Sequence, residues 1–283
     1  MIRAGFHLSV AGGIYHAPEE AERMGYMAFQ LFASSPRTWG HTQISEPDAA
    51  KFRELSDGRN GFAHIPYLCN PSTANPDVYK KSRTMLIDNM SNCAEIGVKS
   101  VVIHLGSHLG KGLDYGKGRT VETVSAALDS VDAVTVLLEN SSGYKNCVGD
   151  KMEDIGDIIK RIGSKRVGLC FDTCHAFAAG YDIRTREGVS KIAHEIESYI
   201  GKERLGLVHL NDAKFELGSG LDRHWHIGKG NIGEEGFRQI FSNRLFREGN
   251  FVMETPIDEV SDNLRNMKEL QKILASCGLE ANI

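Results

Sequence analysis

Acidic and imidazole side chains recur where predicted β-strands end. Six successive strands of the sequence, the third to the eighth, each end on such a residue: His64, His104, Glu139, Asp172, His209 and Glu254. The segment D-T-C-H then places His175 three residues after Asp172. A later segment, D-R-H, contributes Asp222 and His224. Composition alone gives the run of six a probability of roughly one in a thousand, so we interpret the pattern as a functional site.

These nine side chains, five imidazoles and four carboxylates, predict a site for metal ions. Four carboxylates converging in a partly dry pocket would repel one another, and burying an ionised group is costly unless it is paired or bound to metal. Nitrogen and oxygen donors without thiolate suit Zn²⁺, with Mn²⁺ or Fe²⁺ as alternatives. Nine ligands are enough for three ions that share carboxylates and keep open positions. For any one residue alone, a hydrogen-bonded core histidine or a salt-bridged acid is an equal alternative.

Short apolar runs alternate with amphipathic stretches along the whole chain, which predicts the elements that carry these residues. Strands are predicted at 2–6, 27–32, 62–64, 101–104, 134–139, 167–172, 205–210 and 251–254. Helices are predicted between them, among others at about 47–55, 121–128, 185–199 and 234–241, and a closing helix is predicted on Val260, Leu264, Met267, Leu270 and Leu274. The strands are apolar on both faces, which is typical of a buried parallel sheet.

Eight βα units in a chain of this length indicate an α/β fold, a single (β/α)₈ TIM barrel that spans residues 1–283 as one domain. Such barrels place their sites at the carboxyl ends of the strands, where the predicted ligands lie. A doubly wound open sheet is the alternative. The segment after the first strand, H-L-S-V-A-G-G, lacks the G-x-G-x-x-G pattern of a dinucleotide-binding turn, so we favour the barrel.

Composition excludes several classes of protein. Apolar residues make up 41% and charged residues 25%, which is typical of globular proteins and argues against global disorder. The sequence contains neither eighteen consecutive apolar residues nor a signal-peptide pattern, so we expect no membrane span and no secretion. The six cysteines contain no C-x-x-C pair, and we expect reduced, mostly buried thiols in a cytoplasmic protein rather than zinc ligands.

The net charge of −4 argues at first against a nucleic-acid partner, because 33 Lys and Arg face 37 Asp and Glu. Three divalent ions would bring six positive charges, change the total to +2 and concentrate that charge at the mouth of the barrel. The charge of the chain alone is therefore a poor guide to its partner.

Long motifs resemble those of the endonuclease IV family of apurinic/apyrimidinic endonucleases. They are V-I-H-L-G-S-H-L-G, G-L-C-F-D-T-C-H-A-F-A-A-G-Y-D, and H-L-N-D-A-K followed by D-R-H-W-H-I-G-K-G-N-I-G. The resemblance spans nearly the whole chain, from G-F-H-L-S-V-A-G-G to the M-E-T-P around Glu254. It implies a TIM-barrel DNA repair enzyme that cuts 5′ to abasic sites, leaves a 3′-hydroxyl and a 5′-deoxyribose phosphate, and also trims 3′ ends.

The resemblance further implies three zinc ions. One would be held by His64, His104 and Glu139, a second by Glu139, Asp172, His209 and Glu254, and a third by His175, Asp222 and His224. Glu139 would bridge the first two ions, and Glu139 and Glu254 are assigned as the catalytic residues. A hydroxide shared by those two ions would attack the phosphorus in line, while the third ion would stabilise the departing 3′-oxygen.

The implied partner is duplex DNA that contains an abasic site. Nothing in the sequence requires more than a monomer. Because the base is missing, such a site is recognised by shape and deformability. Arg37 and the pair Tyr67 and Leu68 match the positions at which the family inserts side chains into the DNA stack. The backbone amides of the Gly-rich turn 228–233, together with Lys229, could hold phosphates, although a plain turn leading into a helix is nearly as good an interpretation.

Two other functions fit parts of the pattern. A sugar isomerase or epimerase built on a TIM barrel would use one or two divalent ions and only the inner ligands. Four residues would then be dispensable: Asp222, His224, Arg37 and Tyr67. A zinc-stabilised DNA-binding module without catalysis would require a closed, thiolate-rich zinc site, which this sequence lacks. The remaining histidines His16, His41 and His194 are expected to be ordinary surface or helix residues.

Overall fold

Eight strands form the centre of the molecule. The structure, a computed structural model, describes residues 1–40 and 42–282, so the expectation for His41 lies outside the described residues. The strands are β1 Ile2–Phe6, β2 Ala28–Phe32, β3 Asn60–His64, β4 Ser100–His104, β5 Thr135–Glu139, β6 Val167–Asp172, β7 Leu205–His209 and β8 Gly249–Met253. All eight predicted strands are present, with bounds within two residues of the prediction.

The strands pair in parallel, in the order β1, β8, β7, β6, β5, β4, β3, β2. The ends of this order meet, because the Leu8 amide donates to the Gln30 carbonyl at 2.8 Å and the Met27 amide to the Ala4 carbonyl at 3.3 Å. A short strand, Ala281–Asn282, lies beside β1. The sheet is therefore closed, and the TIM-barrel prediction is confirmed.

Helices connect the strands. They are α1 His16–Met24, α2 Glu46–Leu55, α3 Pro76–Ile96, α4 Leu113–Ser130, α5 Met152–Ile162, α6 Thr173–Ala178, α7 Arg186–Glu195, α8 Gly233–Ser242 and α9 Asp262–Ser276. A π-helical turn, Ile196–Ile200, continues α7. The longest helix, α3, begins after Asn75, whose side chain accepts the amides of Asp77 and Val78, and ends at Gly97 with φ +79°. These are the start and stop signals that helices commonly use.

Two helix predictions need correction. The helix predicted at 121–128 begins eight residues earlier, at Leu113. Its first turns contain Gly116, a weak helix former that lies against Val148, where a side chain would have no room. The prediction that Val260 belongs to the closing helix is wrong, since this side chain is fully exposed and α9 begins at Asp262. The carboxylate of Asp262 accepts the amides of residues 258 and 259, which fixes the preceding segment as a loop.

The barrel interior explains where the polar residues lie. One buried residue from each of β2 to β8 belongs to a cluster separate from the main core: Ala28, Phe62, Val102, Leu137, Cys170, Leu207 and Val252. Side chains alternate along a strand, so the residue two positions further on faces the same side. Those residues are Gln30, His64, His104, Glu139, Asp172, His209 and Glu254. An apolar interior layer thus carries a polar layer directly above it.

Two further expectations concern the chain as a whole. None of the described helices combines the length and apolar composition that a membrane span requires. All six cysteines have free thiols and five of them are buried, in agreement with the expectation of reduced cysteines.

Candidate metal centre

The nine predicted ligands meet at the carboxyl end of the barrel in three groups. The first group is His64, His104 and Glu139, the second is Glu139, Asp172, His209 and Glu254, and the third is His175, Asp222 and His224. Within each group, one nitrogen or oxygen atom of every residue lies within 4.8 Å of those of the others. The groups coincide with the three ligand sets that the family resemblance implies.

Glu139 lies at the centre of the site. Its Oε2 is 3.1 Å from His64 Nε2 and 2.9 Å from His104 Nε2. Its Oε1 is 3.0 Å from His209 Nδ1 and 3.4 Å from His175 Nδ1. Burial alone would raise the pKa of Glu139, but the imidazoles of His104 and His209 hold it well below its usual range. Glu139 is therefore an ionised carboxylate shared by the first two groups.

The other two acids of the second group are held from several sides. Asp172 is the N-cap of α6, where its Oδ1 accepts the His175 amide at 2.7 Å and its Oδ2 accepts Asn211 Nδ2 at 2.8 Å. Glu254 Oε2 lies 3.3 Å from His209 Nδ1. Burial would raise the pKa of Glu254, but the imidazole of His209 lowers it well below its usual range. Both acids therefore present fixed oxygens to His209.

The third group is built from α6 and the long loop after β7. In this loop Asp212–Ala213 pairs antiparallel with His224–Trp225, which brings His224 back over the barrel mouth. Asp222 Oδ1 lies 3.2 Å from His175 Nε2 and 3.4 Å from His224 Nε2. Both of these imidazole nitrogens are buried and have no hydrogen-bond partner among the described residues. Since buried polar atoms are rarely left unpaired, two such nitrogens facing one carboxylate fit a cation ligated by all three.

Three histidines are oriented by backbone carbonyls. Nδ1 of His64 donates to the Ile65 carbonyl at 2.7 Å, and Nδ1 of His175 donates to the Asn140 carbonyl at 2.9 Å. Nδ1 of His224 lies 3.2 Å from the Glu254 carbonyl. A carbonyl can only accept, so each Nδ1 carries a proton, and Nε2 is the nitrogen left to face a carboxylate or, after losing its own proton, a cation. This is the arrangement that metal-binding histidines commonly show.

The ligands inside the barrel are shielded from solvent, whereas those at its mouth are exposed. The side chains of Glu139, Asp172 and His209 are at most 1% exposed, whereas His104 is 30% and Asp222 is 46% exposed. A substrate can therefore reach the first and third groups from solvent, between His104 and Asp222.

The residues predicted to bind DNA lie on exposed segments. Tyr67 is 63% exposed, and its ring centroid lies 5.7 Å from those of His64 and His104, so it borders the first group. Leu68 beside it is also exposed. Arg37 is exposed in the loop between β2 and α2. Lys229 lies 3.6 Å from the Glu269 carboxylate on α9. DNA binding by these four residues stays a prediction.

The Gly-rich turn 228–233 binds a side chain of the same protein through its backbone amides. The amides of Gly230, Ile232 and Gly233 donate to the buried Asp212 carboxylate at 3.0, 3.0 and 3.3 Å, as does the Ala213 amide at 2.8 Å. A side chain at Gly230 would collide with Asp212, 2.4 Å from its Oδ1. The prediction that these backbone amides hold phosphates is therefore wrong for three of them, because a carboxylate of the same chain already occupies them.

Replacing Asp212 by Ala should destabilise the protein. The change leaves several backbone amides without an acceptor, and each unsatisfied buried donor costs about 1–3 kcal/mol. We expect the free energy of unfolding, measured by urea denaturation, to fall by about 3 kcal/mol. The matched variant D129A removes an exposed acid at the end of α4 and should change it by less than about 0.5 kcal/mol. Equal stability of the two variants would contradict this role of Asp212.

Three buried amide side chains support the ligands and were missed by sequence reasoning. Asn140 accepts the Asp172 amide at 2.7 Å and donates to the Asp172 carbonyl at 3.0 Å. Asn211 accepts the Glu254 amide at 2.7 Å, in addition to its bond to Asp172. Gln30 contacts His209 and Glu254. The signal was present, because the two asparagines follow strand ends that carry ligands and Gln30 interrupts an apolar strand.

Several residues next to the ligands have other partners. The Lys214 ammonium lies 4.4 Å from the Trp225 ring, and His226 Nδ1 lies 3.2 Å from Asn266 Nδ2. Cys174 lies near Asp172 and His224, but burial raises the pKa of its thiol, and its Sγ lies 3.6 Å from the Arg223 carbonyl. Because this sulfhydryl donates to a backbone carbonyl, Cys174 fits a packing role.

Comparison with known proteins places this geometry in a family. Residues 18–277 match the model of the xylose isomerase-like TIM barrel family. The chain is 41% identical to the protein named probable endonuclease 4 of Methanoculleus marisnigri, over 96% of this chain and 99% of that protein. It is 36% identical to the protein of the same name from Thermotoga maritima, and the match covers both chains completely.

Solved structures agree with this result. The crystal structure of endonuclease IV from Thermus thermophilus matches with a TM-score of 0.87 and 33% identity, over 97% of this chain and 99% of that one. A D-tagatose 3-epimerase-like protein matches with a TM-score of 0.73 over 98% of each chain, but at 20% identity it shares the fold alone. With near-complete coverage at 33% to 41% identity, the chain belongs to the endonuclease IV family.

Proposed function

We propose that this protein is a DNA repair endonuclease that uses three Zn²⁺ ions to hydrolyse the phosphodiester bond 5′ to abasic sites in duplex DNA. The products would be a 3′-hydroxyl and a 5′-deoxyribose phosphate, and trimming of 3′ ends would be a second activity of the same site. The observation that carries the proposal is the convergence of nine ligand residues in three groups, two of which share Glu139. Relatives named endonuclease 4 and endonuclease IV support it.

The residues present fit metal ions. Two buried imidazole nitrogens without hydrogen-bond partners among the described residues face Asp222, and the histidines whose Nδ1 donates to a backbone carbonyl turn their Nε2 toward the carboxylates of the ligand groups. Nitrogen and oxygen donors without an ionised thiol suit zinc. The three groups would each hold one ion, with Glu139 shared between the first two. Divalent ions bound there would lower the pKa of an attacking water and neutralise charge that develops on the phosphate.

The chain itself would position the DNA and the ligands. His104 and Asp222 are the most exposed ligands, so the scissile phosphate would approach between them. Tyr67 borders this opening beside His64 and would meet the DNA strand that enters it. The buried acids keep their positions because amide side chains and backbone amides hold their oxygens. A preorganised arrangement of this kind reduces the reorganisation that the reaction would otherwise require.

The third group distinguishes this proposal from the sugar isomerase alternative. An epimerase on this fold would need only the inner ligands, yet His175, Asp222 and His224 form a complete group in the loop region. Metal analysis of the purified protein separates the two functions. Three zinc ions per chain would support the nuclease, and a single manganese or magnesium ion would favour the isomerase.

The experiment that tests the function is incision of a duplex oligonucleotide with one tetrahydrofuran abasic analogue. We expect cleavage directly 5′ to the analogue, a product with a 3′-hydroxyl that a polymerase can extend, and no cleavage of the undamaged duplex. A ketose substrate tested in parallel should remain unchanged. Failure to cut the damaged duplex by protein with its full zinc content would refute the proposal, as would efficient epimerisation.

Removal of the exposed side chains at the rim should affect damage selectivity. We expect the double variant R37A/Y67A to lower the ratio of abasic to undamaged duplex binding by about 10-fold or more, since stacking of one aromatic ring contributes about 1–3 kcal/mol. Zinc content, measured by atomic absorption, should stay at the level of the unmodified protein because neither side chain belongs to a ligand group. Loss of zinc from this variant would show that these residues are misassigned.

A further inference from the structure

We propose that Gln30 is a positioning residue that sets the protonated nitrogen of His209 and the orientation of Glu254 through its side-chain amide. The inference rests on the proposed function, because the residues that Gln30 holds form the second ligand group. It adds a side chain that touches neither the DNA nor, in this arrangement, a metal ion.

Gln30 belongs to the same interior layer as the ligands. It lies two residues after Ala28, as His209 lies two residues after Leu207 and Glu254 two after Val252, and it is fully buried. A glutamine in the middle of A-F-Q-L-F gives up its hydration without gaining apolar contacts of equal value. Its burial is therefore stabilised by the hydrogen bonds that it makes inside the barrel.

The amide orientation follows from its partners. Gln30 Nε2 lies 2.7 Å from Glu254 Oε1, and Gln30 Oε1 lies 2.8 Å from His209 Nε2. An ionised carboxylate can only accept, so the NH₂ group must face Glu254 and the amide oxygen must face His209. An amide oxygen also only accepts, so His209 Nε2 must carry a proton. The arrangement thus leaves Nδ1 as the nitrogen of His209 that can lose its proton to a cation.

That nitrogen points at the acids of the second group. Nδ1 of His209 lies 3.0 Å from Glu139 Oε1, 3.3 Å from Glu254 Oε2 and 3.9 Å from Asp172 Oδ2. The two carboxylate oxygens of Glu254 also have different partners. Oε1 accepts a hydrogen bond from Gln30, and Oε2 faces the second ligand group. One amide therefore orients two ligands at once.

A third contact fixes the amide in place. Gln30 Nε2 also lies 3.0 Å from Nδ1 of His7, the residue that follows β1. Gln30 thus links His7, His209 and Glu254 across the seam where β1 and β2 close the barrel. Residues that hold metal ligands by such hydrogen bonds commonly affect metal affinity by 10- to 100-fold.

The variant Q30M tests this role, because Met has a similar length and no amide. We expect it to weaken one of three zinc equivalents by about 10- to 100-fold, measured by competition with a chromophoric chelator starting from metal-free protein. The other two equivalents should bind as in the unmodified protein, because Gln30 contacts neither the His104 group nor the Asp222 group. The control Q271M makes the same change on an exposed position of α9 and should alter none of the three.

Two further readouts separate positioning from a general loss of stability. The Co²⁺-loaded protein should show a changed visible absorption spectrum in Q30M and not in Q271M, recorded at a temperature at which circular dichroism shows both variants to be folded. In the unmodified zinc protein, histidine ¹⁵N NMR should show a protonated Nε2 at His209. This measurement does not require a variant.

The outcomes distinguish this inference from the proposed function. Unchanged affinity of all three equivalents in Q30M, equal weakening of all three, or a protonated Nδ1 at His209 would overturn the role of Gln30 while leaving a zinc-dependent nuclease intact. An unmodified protein that binds no zinc would instead refute the proposed function itself.

Discussion

Replacement of Glu254 by Gln should lower the rate of incision at a tetrahydrofuran site by at least roughly 10²–10³-fold, the cost of losing one preorganised charged group at a reacting centre. Gln30 donates to Oε1 of Glu254, so the new amide must place its oxygen there. The NH₂ group then takes the position of Oε2, 3.3 Å from His209 Nδ1. A group that can only donate would thus replace the oxygen that faces the second ligand group, and that group would lose one negative charge.

Binding of damaged DNA should be retained far better than cleavage in E254Q. Glu254 is only 10% exposed, whereas the side chains expected to insert into the DNA, Arg37, Tyr67 and Leu68, lie outside the ligand groups. Fluorescence anisotropy with the damaged duplex measures binding, and single-turnover incision measures the chemical step. The variant H104A, which removes a ligand of the first group, should behave in the same way.

The matched control is E54Q, which makes the same change on the exposed face of α2 and should leave incision and binding unchanged. Normal cutting by E254Q or H104A would refute the assigned mechanism. An equal loss of binding and cleavage would contradict the separation between the ligand groups and the DNA-contacting rim.

The fold and the six ligands at strand ends could be predicted because both depend on short-range periodicity, whereas the division of the nine ligands into three groups came from the family resemblance. Parallel strands bring their carboxyl ends to one edge of the sheet. The position of His104 or Glu139 at the end of a strand is therefore enough to predict that its side chain lies at this edge. The register His104 to Glu139 and Asp172 to His209 then places neighbouring ligands side by side. Once the buried apolar residues locate a strand in the sequence, the position of the polar residue at its end is therefore also known.

Contacts between distant segments could not be predicted in this way. The carboxylate of Asp212 accepts the amides of residues 230, 232 and 233, a pairing that neither segment shows in its own pattern. The amides of this turn were interpreted as a phosphate site because a Gly-rich turn before a helix is a common anion site. The anion there is a side chain of the same protein, and only the fold of the loop after β7 brings it into place.

The interpretation of Gln30 shows a different limit. Its burial could be predicted from the surrounding apolar strand, but its partners could not, because they come from β7 and from the segments after β1 and β8. Periodicity fixes which side of a strand a residue faces, whereas the direction of an amide depends on the donors and acceptors of its neighbours.

Removal of the metal ions should abolish incision and lower stability without unfolding the barrel. Glu139 lies 2.9 Å from His104 and 3.0 Å from His209, so imidazoles at these distances would pair with the carboxylate once the ions are removed and would limit the repulsion among four carboxylates. An ion present at 100 times its Kd stabilises the folded state by about 2.7 kcal/mol, so three ions should raise the melting temperature by about 10 °C or more.

Protein stripped with a chelator and then dialysed is the sample for this experiment, with circular dichroism to follow melting and the damaged duplex to follow incision. Zinc should restore both properties, whereas magnesium should restore neither, because imidazole nitrogens suit zinc and magnesium prefers oxygen ligands and retained water. Full incision by protein with less than one ion per chain would contradict catalysis by these groups. Restored melting without restored incision would instead assign the zinc ions a structural role and contradict their part in hydrolysis, so measuring both properties on one sample decides between the two.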